Sequence, residues 1–286
     1  MEIGGTVLPL QKGIIYGPVA SRRLGRSLGL NLTPTGFKVC SYNCVYCHYG
    51  WTKVRTCHME PLAQELPSAA EVETALAAAL RDGVCPEYIT FSGNGEPTLH
   101  PDFPEMVEVV IRLRDRLAPR ARTCVLSNAT TLDRPQVVEA LTKLDVRIMK
   151  LDAGTEETWL AVNRPARELA FDRLLEGLKW LKQWVLQAIF FQGSVANVGL
   201  EQIEQWVKRL GELRPCGAQI YTVDRPAADR GLERVPVGVL QEVATRASRA
   251  VGVPVHVYSR GGTADTSHAQ RNAPSEGQDY AKEAGS

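Results

Sequence analysis

The feature that most constrains the fold is an alternation of short apolar segments with longer amphipathic ones between about residues 28 and 224. The short segments have the length and composition of strands that are buried on both faces, which is typical of parallel sheets covered by helices. Their predicted bounds are 28–32, 88–92, 123–127, 146–151, 185–191 and 219–223, with a further short edge strand at 253–258. The pattern predicts an α/β protein.

Helical segments fill the intervals between these strands. The clearest begins at Ser68, because Ser68 and Glu71 form a capping box and an alanine-rich stretch follows as far as Arg81. Further helices are predicted at 104–117, 134–143, 171–183, 200–213 and 237–251. Six strand–helix units in series predict parallel strands with right-handed crossovers. Periodicity alone allows either an open doubly wound sheet or a barrel.

The 286 residues are 44% hydrophobic, which is enough for one large core. We predict an N-terminal extension over residues 1–27 that packs on the core, one domain over 28–262, and a tail over 263–286. The tail is rich in Gly, Ala, Ser, Gln and charged residues, a composition that predicts disorder because it offers little to bury.

Charge and hydropathy exclude several classes of protein. The 33 lysines and arginines nearly balance the 32 aspartates and glutamates, which argues against binding nucleic acid through bulk electrostatics. The apolar runs are too short to cross a bilayer, and the first residues predict no signal peptide. We therefore expect no membrane partner and a cytoplasmic location, where a reducing environment would leave the seven cysteines free.

Three of the cysteines, Cys40, Cys44 and Cys47, lie within eight residues of one another. Thiolates favour soft metal centres, and so short a loop can bend around one iron–sulfur cluster. Three ligands to a four-iron cluster leave one iron open to a cofactor or substrate. The alternatives are a zinc site completed by His48, or by the nearby Cys57 and His58, and no metal at all.

The spacing Cys40-x3-Cys44-x2-Cys47, with Tyr46 before the last cysteine, resembles the signature loop of radical S-adenosylmethionine (SAM) enzymes. The likeness extends to a bacterial and archaeal branch related to the wyosine-base (tRNA imidazoG37) synthase, whose motifs resemble residues 16–29, 92–98 and 222–226. These matches span about residues 14 to 226. The resemblance implies a partial (βα)6 TIM-type barrel of parallel strands with outer helices.

The resemblance also implies the chemistry. Cys40, Cys44 and Cys47 would be the catalytic and metal-binding residues of a [4Fe-4S] cluster whose open iron takes the amino and carboxylate groups of SAM. Reductive cleavage would give a 5′-deoxyadenosyl radical that abstracts hydrogen from substrate, with a reductant such as flavodoxin or ferredoxin. The substrate is unidentified, and an RNA base is the nearest analogy. A peptide- or protein-modifying enzyme, a glycyl-radical activase, and a noncatalytic iron–sulfur or zinc binding protein are the alternatives.

Polar residues that follow predicted strands are the candidates for cofactor binding, because barrel active sites form at the C-terminal ends of strands. The candidates are Tyr46, Gly93, Asn94, Gly95, Glu96, Ser127, Asn128 and Asp152. By resemblance, the segment 93–96 holds the methionyl amino group of SAM. Glu96 at a helix start, and Ser127 with Asn128 as a polar turn, are the structural alternatives.

Several charged residues keep open roles. Lys150 and Asp152 flank Leu151, so strand alternation sends both side chains to the same side. Arg225, after the sixth strand, suits a carboxylate or a phosphate. The basic cluster of Arg22, Arg23 and Arg26 suits either phosphate or acidic neighbours in the protein.

Overall fold

The structure is a computed structural model that describes residues 5–259. Its strands are β1 (Ile15–Ser21), β2 (Gly25–Leu30), β3 (Val39–Cys40), β4 (Val54–Arg55), β5 (Tyr88–Phe91), β6 (Arg122–Ser127), β7 (Val146–Lys150), β8 (Val185–Gly193), β9 (Gly217–Thr222), β10 (Leu232–Arg234) and β11 (Val255–Tyr258). Its α-helices are α1 (Ala69–Arg81), α2 (Phe103–Leu117), α3 (Pro135–Thr142), α4 (Glu156–Asn163), α5 (Phe171–Trp180), α6 (Leu200–Leu213) and α7 (Val237–Val251). Two 3-10 helices cover Glu60–Glu65 and Pro97–Leu99.

The main sheet has parallel pairing throughout its centre, in the order β2-β5-β6-β7-β8-β9-β11. β1 adds to one edge, antiparallel to β2, and β10 pairs antiparallel with the end of β8. The sheet curls until the turn between β1 and β2 meets the other side: Arg22 Nη2 lies 2.6 Å from Asp224 Oδ2, and the Arg23 guanidinium lies 4.7 Å from the centre of the Tyr221 ring. The predicted partial barrel of parallel strands is confirmed.

The main core lies between the sheet and the helices that follow its strands. All four residues of β5 are buried, and so are the first seven of β8. Phe190 of β8 packs edge-on against Trp206 of α6, with ring centroids 5.2 Å apart, and Trp206 Nε1 donates to the Leu151 carbonyl at 3.0 Å. Burying one such large side chain contributes roughly 1.5–3 kcal/mol. These contacts fix α6 behind the strands whose C-terminal ends carry the site.

The predicted element bounds agree closely with the structure. α1 begins after Ser68 with both bonds of the capping box present, and α6 and α7 have the predicted limits. The first barrel strand differs, because β2 ends at Leu30 rather than at residue 32. Asn31 breaks it there, since its side chain bonds the carbonyl oxygen and the hydroxyl of Thr33 at 2.8 and 2.9 Å.

The segment before β2 lies against the sheet. Tyr16 of β1 sits opposite Gly29, where a Cβ atom would stand 2.1 Å from the tyrosine ring, so only glycine allows this approach. The limits 1–27 and 28–262 stay predictions, and the tail at 263–286 lies outside the described residues. No helix within residues 5–259 is long and apolar enough to span a membrane.

Candidate active site

The three clustered cysteines lie on the loop that follows β2, at the C-terminal edge of the parallel strands. Backbone bonds hold this loop on both sides. Val45 donates to the Val162 carbonyl at the end of α4 at 3.0 Å, while the Val45 and Cys47 carbonyls accept from Asp229 and Ala228 at 2.8 and 3.0 Å. The loop conformation is therefore fixed by the protein's own backbone.

The three thiols are free and half-buried, and they face a buried cation. Lys38 is 5% exposed, donates from Nζ to the Gly50 carbonyl at 2.9 Å, and interacts electrostatically with Cys40, Cys44 and Cys47. Burial raises the pKa of Cys40 to about 12 and that of Cys44 to about 11. Both are neutral thiols at pH 7, so metal ligation must release their protons.

Two side-chain amides point at these sulfur atoms. Asn128 Nδ2 donates to Cys40 Sγ at 3.6 Å, and Asn163 Nδ2 donates to Cys44 Sγ at 3.4 Å. Hydrogen bonds to ligating sulfurs are a principal means by which proteins tune iron–sulfur clusters. The donor set is soft, convergent and supported by a cation, which fits a cluster with one open iron.

The zinc alternative fits the structure less well. Within residues 5–259, no three His, Cys, Asp or Glu side chains are arranged to share one metal ion. A single zinc ion would bring its thiolates to within about 3.8 Å of one another, because the Zn–S distance is about 2.3 Å. A four-iron cluster gives each thiolate its own iron. The candidate fourth ligand His48 contacts the Pro226 carbonyl oxygen through Nδ1 at 3.2 Å, a contact that leaves Nε2 free.

The glycines of the segment 93–96 permit close packing against the cysteine loop. A Cβ at Gly95 would stand 1.7 Å from the Val39 carbonyl oxygen, and Gly93 has φ +131° beside Asn31. The side chain of Asn94 is fully buried and bonded to backbone: Oδ1 accepts from Gln11 N at 2.7 Å, and Nδ2 donates to the carbonyls of Gln11 and Pro34. Asn94 therefore tethers the N-terminal segment, which its sequence position did not predict.

Glu96 is 2% exposed and lies near Cys40. Its Oε1 accepts from Thr98 N and Oγ1 at 3.1 and 2.6 Å, and its Oε2 accepts from Asn128 N at 2.6 Å. Burial raises the pKa of Glu96, and these bonds oppose that shift. The carboxylate thus caps the 3-10 helix Pro97–Leu99, as the structural alternative held, and its role at a cofactor stays a prediction.

Ser127 and Asn128 end β6 beside Glu96. Ser127 Oγ accepts from Ala129 N at 3.0 Å, so it stabilises the turn, where Ala129 has φ +66°. Asn128 also donates from Nδ2 to Ser41 Oγ at 2.8 Å. Asn128 therefore lies between the cysteine loop and the 93–96 segment. Its contact with a cysteine was not expected from the sequence.

Asp152 lies under the cysteine loop with a fully buried side chain. Its Oδ1 is 3.0 Å from both Lys150 Nζ and Ile189 N, and its Oδ2 accepts from Tyr46 OH at 2.5 Å and Asn163 Nδ2 at 2.9 Å. A carboxylate has about four lone-pair sites, and these four contacts use them. Asp152 thus holds Tyr46 and Lys150 in place, and its direct role at a cofactor stays a prediction.

Two residues of this site were not among the sequence candidates. Asn163 links Cys44 to Asp152 from the end of α4, 119 positions along the chain from Cys44. The N-cap Thr155, which accepts from Thr158 N, is the sequence signal that would have revealed α4. Lys38 is the other, and its position two residues before Cys40 is the sequence feature that would have indicated a cation beside the thiols.

The three arginines of the predicted basic cluster separate. Arg22 pairs with Asp224 and Arg23 stacks on Tyr221, both at the open side of the barrel. Arg26 turns away and donates to the Cys85 carbonyl. Lys150 Nζ bonds Tyr221 OH at 3.2 Å, so the arginine side and the cysteine side of the barrel meet at Tyr221.

Comparison with known proteins agrees with this geometry. Residues 36–184 match the radical SAM superfamily. A UPF0026 protein of Methanocaldococcus jannaschii is 30% identical over 243 residues, covering 84% of this chain and 72% of that protein. A Brachyspira hyodysenteriae protein named GTPase Obg is 29% identical over 221 residues, but those residues are 74% of this chain and 30% of that protein. A rice SAM-dependent tRNA 4-demethylwyosine synthase is 26% identical over 144 residues, which are 50% of this chain and 21% of the enzyme.

Solved structures share the fold. A radical SAM methyltransferase from Sphaerobacter thermophilus superposes with a TM-score of 0.60 at 18% identity, over 82% of this chain and 67% of that one. Streptococcus suis SuiB bound to SAM gives 0.58 at 16% identity, over 81% of this chain and 50% of that one. The chain belongs to the radical SAM superfamily, and it is an enzyme of the radical SAM type.

Proposed function

We propose that Cys40, Cys44 and Cys47 hold a [4Fe-4S] cluster at which this enzyme cleaves SAM reductively. The observation that carries the proposal is the convergence of three free thiols on Lys38, at the C-terminal edge of the parallel strands. When bound, the reduced cluster and SAM supply a 5′-deoxyadenosyl radical for hydrogen abstraction. The noncatalytic alternative is set aside, because the chain belongs to a family of enzymes.

Three polar groups around the thiols stabilise the charged form of the ligands and so oppose the effect of burial. Asn128 and Asn163 donate to sulfur, and the Lys38 ammonium places a positive charge beside three sites that become thiolates. Attraction between unlike charges is strong in a buried site, where the effective dielectric constant is well below that of water. These groups therefore offset the cost of gathering three thiolates and an added electron in one place.

Glu96, Ser127 and Asn128 are the proposed contacts for SAM. Glu96 lies near Cys40, and its carboxylate can accept from an ammonium group, while the two glycines beside it keep side chains out of the way. Tyr46 forms one wall, since its hydroxyl is fixed by Asp152 and its ring packs 5.9 Å from that of Phe191. A rigid wall limits which groups a carbon radical can reach, and so it limits side reactions.

The substrate, reductant and location belong to the same proposal. An RNA base is the candidate from the wyosine branch, and flavodoxin or ferredoxin is the candidate reductant. A cytoplasmic location agrees with seven cysteines that form no disulfide within the described chain.

The test is SAM cleavage by the anaerobically reconstituted full chain. We expect about four irons and four sulfides per chain, and release of 5′-deoxyadenosine on addition of dithionite and SAM. Cys40→Ala, Cys44→Ala and Cys47→Ala should each abolish that release, while Cys216→Ala, at an exposed thiol outside the site, should not. A protein that takes up zinc alone, or that cleaves SAM equally well without Cys44, would overturn the proposal.

A further inference from the structure

A cavity of about 210 Å³ opens at the side of the barrel, between the turn joining β1 to β2 and the end of β9. His48, which directly follows Cys47, lines it on the side of the cysteine loop. Tyr221 lines it from below, and the same tyrosine hydroxyl contacts Lys150 Nζ at 3.2 Å. A molecule in this cavity would therefore lie next to the proposed radical site, with one side open to solvent.

The cavity carries an excess of positive charge. Arg22, Arg23 and Arg225 line it against a single carboxylate, that of Asp224. Arg22 neutralises Asp224 through the contact of 2.6 Å. Arg23 and Arg225 form no ion pair with any carboxylate among residues 5–259, so two guanidinium groups are left uncompensated.

The positions of these two arginines are built into the fold. The Arg22–Asp224 pair joins the β1–β2 turn to the end of β9, and Asp224 is 7% exposed. The Arg23 guanidinium lies over the Tyr221 ring, 4.7 Å from its centroid, and a cation–π contact of this kind uses none of its N–H donors. Arg225 follows Asp224 directly. Two donors from distant parts of the chain are thus fixed at one opening.

We propose that this cavity binds a phosphate monoester group of the substrate, with Arg23 and Arg225 as its ligands. A monoester carries about −1.5 to −2 charges at pH 7 and three acceptor oxygens, which matches two unpaired guanidinium groups. A carboxylate carries one charge and is satisfied by one bidentate arginine, so it would leave the second guanidinium unused. A backbone phosphate of a nucleic acid also carries only one charge. The near-balance of 33 lysines and arginines with 32 aspartates and glutamates also argues against binding of a nucleic acid backbone through bulk electrostatics.

The placement of this subsite beside the reaction rests on the proposed function, but binding can be tested without it. Isothermal titration calorimetry of the anaerobically purified full chain, with no reductant or SAM added, would use phenyl phosphate and inorganic phosphate as probes. Benzoate tests the carboxylate, and the dinucleotide uridylyl-(3′,5′)-uridine tests the phosphodiester. Because these titrations do not depend on SAM cleavage, failure of the phosphate subsite is distinguishable from failure of the proposed function.

We expect phenyl phosphate to bind and to be displaced by inorganic phosphate, with benzoate and the dinucleotide at least about tenfold weaker. Arg23→Gln and Arg225→Gln should each raise the Kd for phenyl phosphate by roughly 10- to 100-fold, the range expected for a hydrogen bond to a charged group. Arg225 is exposed, so its replacement leaves the core intact. Arg230→Gln, at an exposed arginine outside the cavity, is the matched control and should leave Kd unchanged.

Three results would overturn the assignment. They are no detectable binding of either phosphate probe, equal or tighter binding of benzoate or the dinucleotide, and an Arg225→Gln protein that binds like Arg230→Gln. Tighter binding of the dinucleotide would favour an RNA backbone in the cavity instead.

Discussion

The buried pair of Lys150 and Asp152 should behave as a coupled unit in a double-mutant cycle. The Asp152 side chain is fully buried, that of Lys150 is 14% exposed, and their charged atoms lie 3.0 Å apart. Removing one partner of a buried pair leaves the other uncompensated, at a cost of about 3–5 kcal/mol. In Asp152→Asn, Lys150 still donates to the Tyr221 hydroxyl and still lies over the Tyr46 and Tyr221 rings. We therefore expect the variant to lose about 3 kcal/mol of unfolding free energy, the low end of that range.

The reverse replacement should cost less. In Lys150→Met, Asp152 still accepts from Ile189 N, Tyr46 OH and Asn163 Nδ2, so we expect a loss of about 2 kcal/mol, typical of one hydrogen bond to a charged group. The double variant contains neither charge, so no buried charge is left uncompensated. Its destabilisation should be smaller than the sum of the two single effects by about 1–3 kcal/mol.

Urea denaturation followed by circular dichroism measures each term, and thermal melting should show Asp152→Asn roughly 6–12 °C below the parent. Lys182→Met, at an exposed lysine before β8, controls for the loss of a surface charge. The reasoning fails if the two single effects add within about 0.5 kcal/mol in the double variant, the scatter expected of independent sites. It also fails if Asp152→Asn costs less than Lys150→Met.

Three further predictions concern separate parts of the chain. Gly95→Ala should destabilise the fold by about 1–3 kcal/mol and lower bound iron, because its Cβ would meet the Val39 carbonyl oxygen at 1.7 Å; Gly36→Ala, with open space around it, should change neither quantity. Lys38→Met should lower the cluster reduction potential, because it removes a positive charge that favours the added electron, by on the order of 60 mV per 1.4 kcal/mol of lost attraction. An EPR-monitored redox titration measures this shift, and the charge-conserving control Lys38→Arg should stay near the parent. Burial raises the pKa of Cys124 from 9.0 to about 12. The stability that comes from burying the neutral thiol is therefore complete below pH 9 and is lost as pH rises toward 12. Cys124→Ala should therefore flatten the alkaline fall in unfolding free energy by up to about 1.4 kcal/mol per pH unit, and an unchanged slope in urea titrations at pH 8 and 10 would contradict this.

The strands and helices of the barrel could be predicted because their signals are local. Apolar runs gave β5 to β9, and the capping box at Ser68 gave the start of α1. α4 has eight residues and lies between two polar turns, so its apolar period is too short to read. β1 was missed because four of its seven residues are exposed, and its burial pattern lacks the alternation of a half-buried strand.

The site was predictable only in part, for a different reason. Parallel strands bring their C-terminal ends to one edge, so residues after those strands could be expected to meet. Which of them face the site depends on hydrogen bonds between distant positions. Asn94 shows the limit: its amide bonds Gln11, 83 positions away, and so its side chain serves the fold rather than the cofactor role expected from its sequence position.

The cysteine loop is held in place by buried polar bonds to the rest of the barrel. Asp152 alone connects Tyr46 in the loop to β7 through Lys150, to α4 through Asn163 and to β8 through Ile189. Bonds to three separate elements restrict the loop, so the conformational entropy of ordering it is lost together with that of the barrel. A single fully bonded carboxylate beneath the loop thus links the stability of the barrel to the chemistry at its edge.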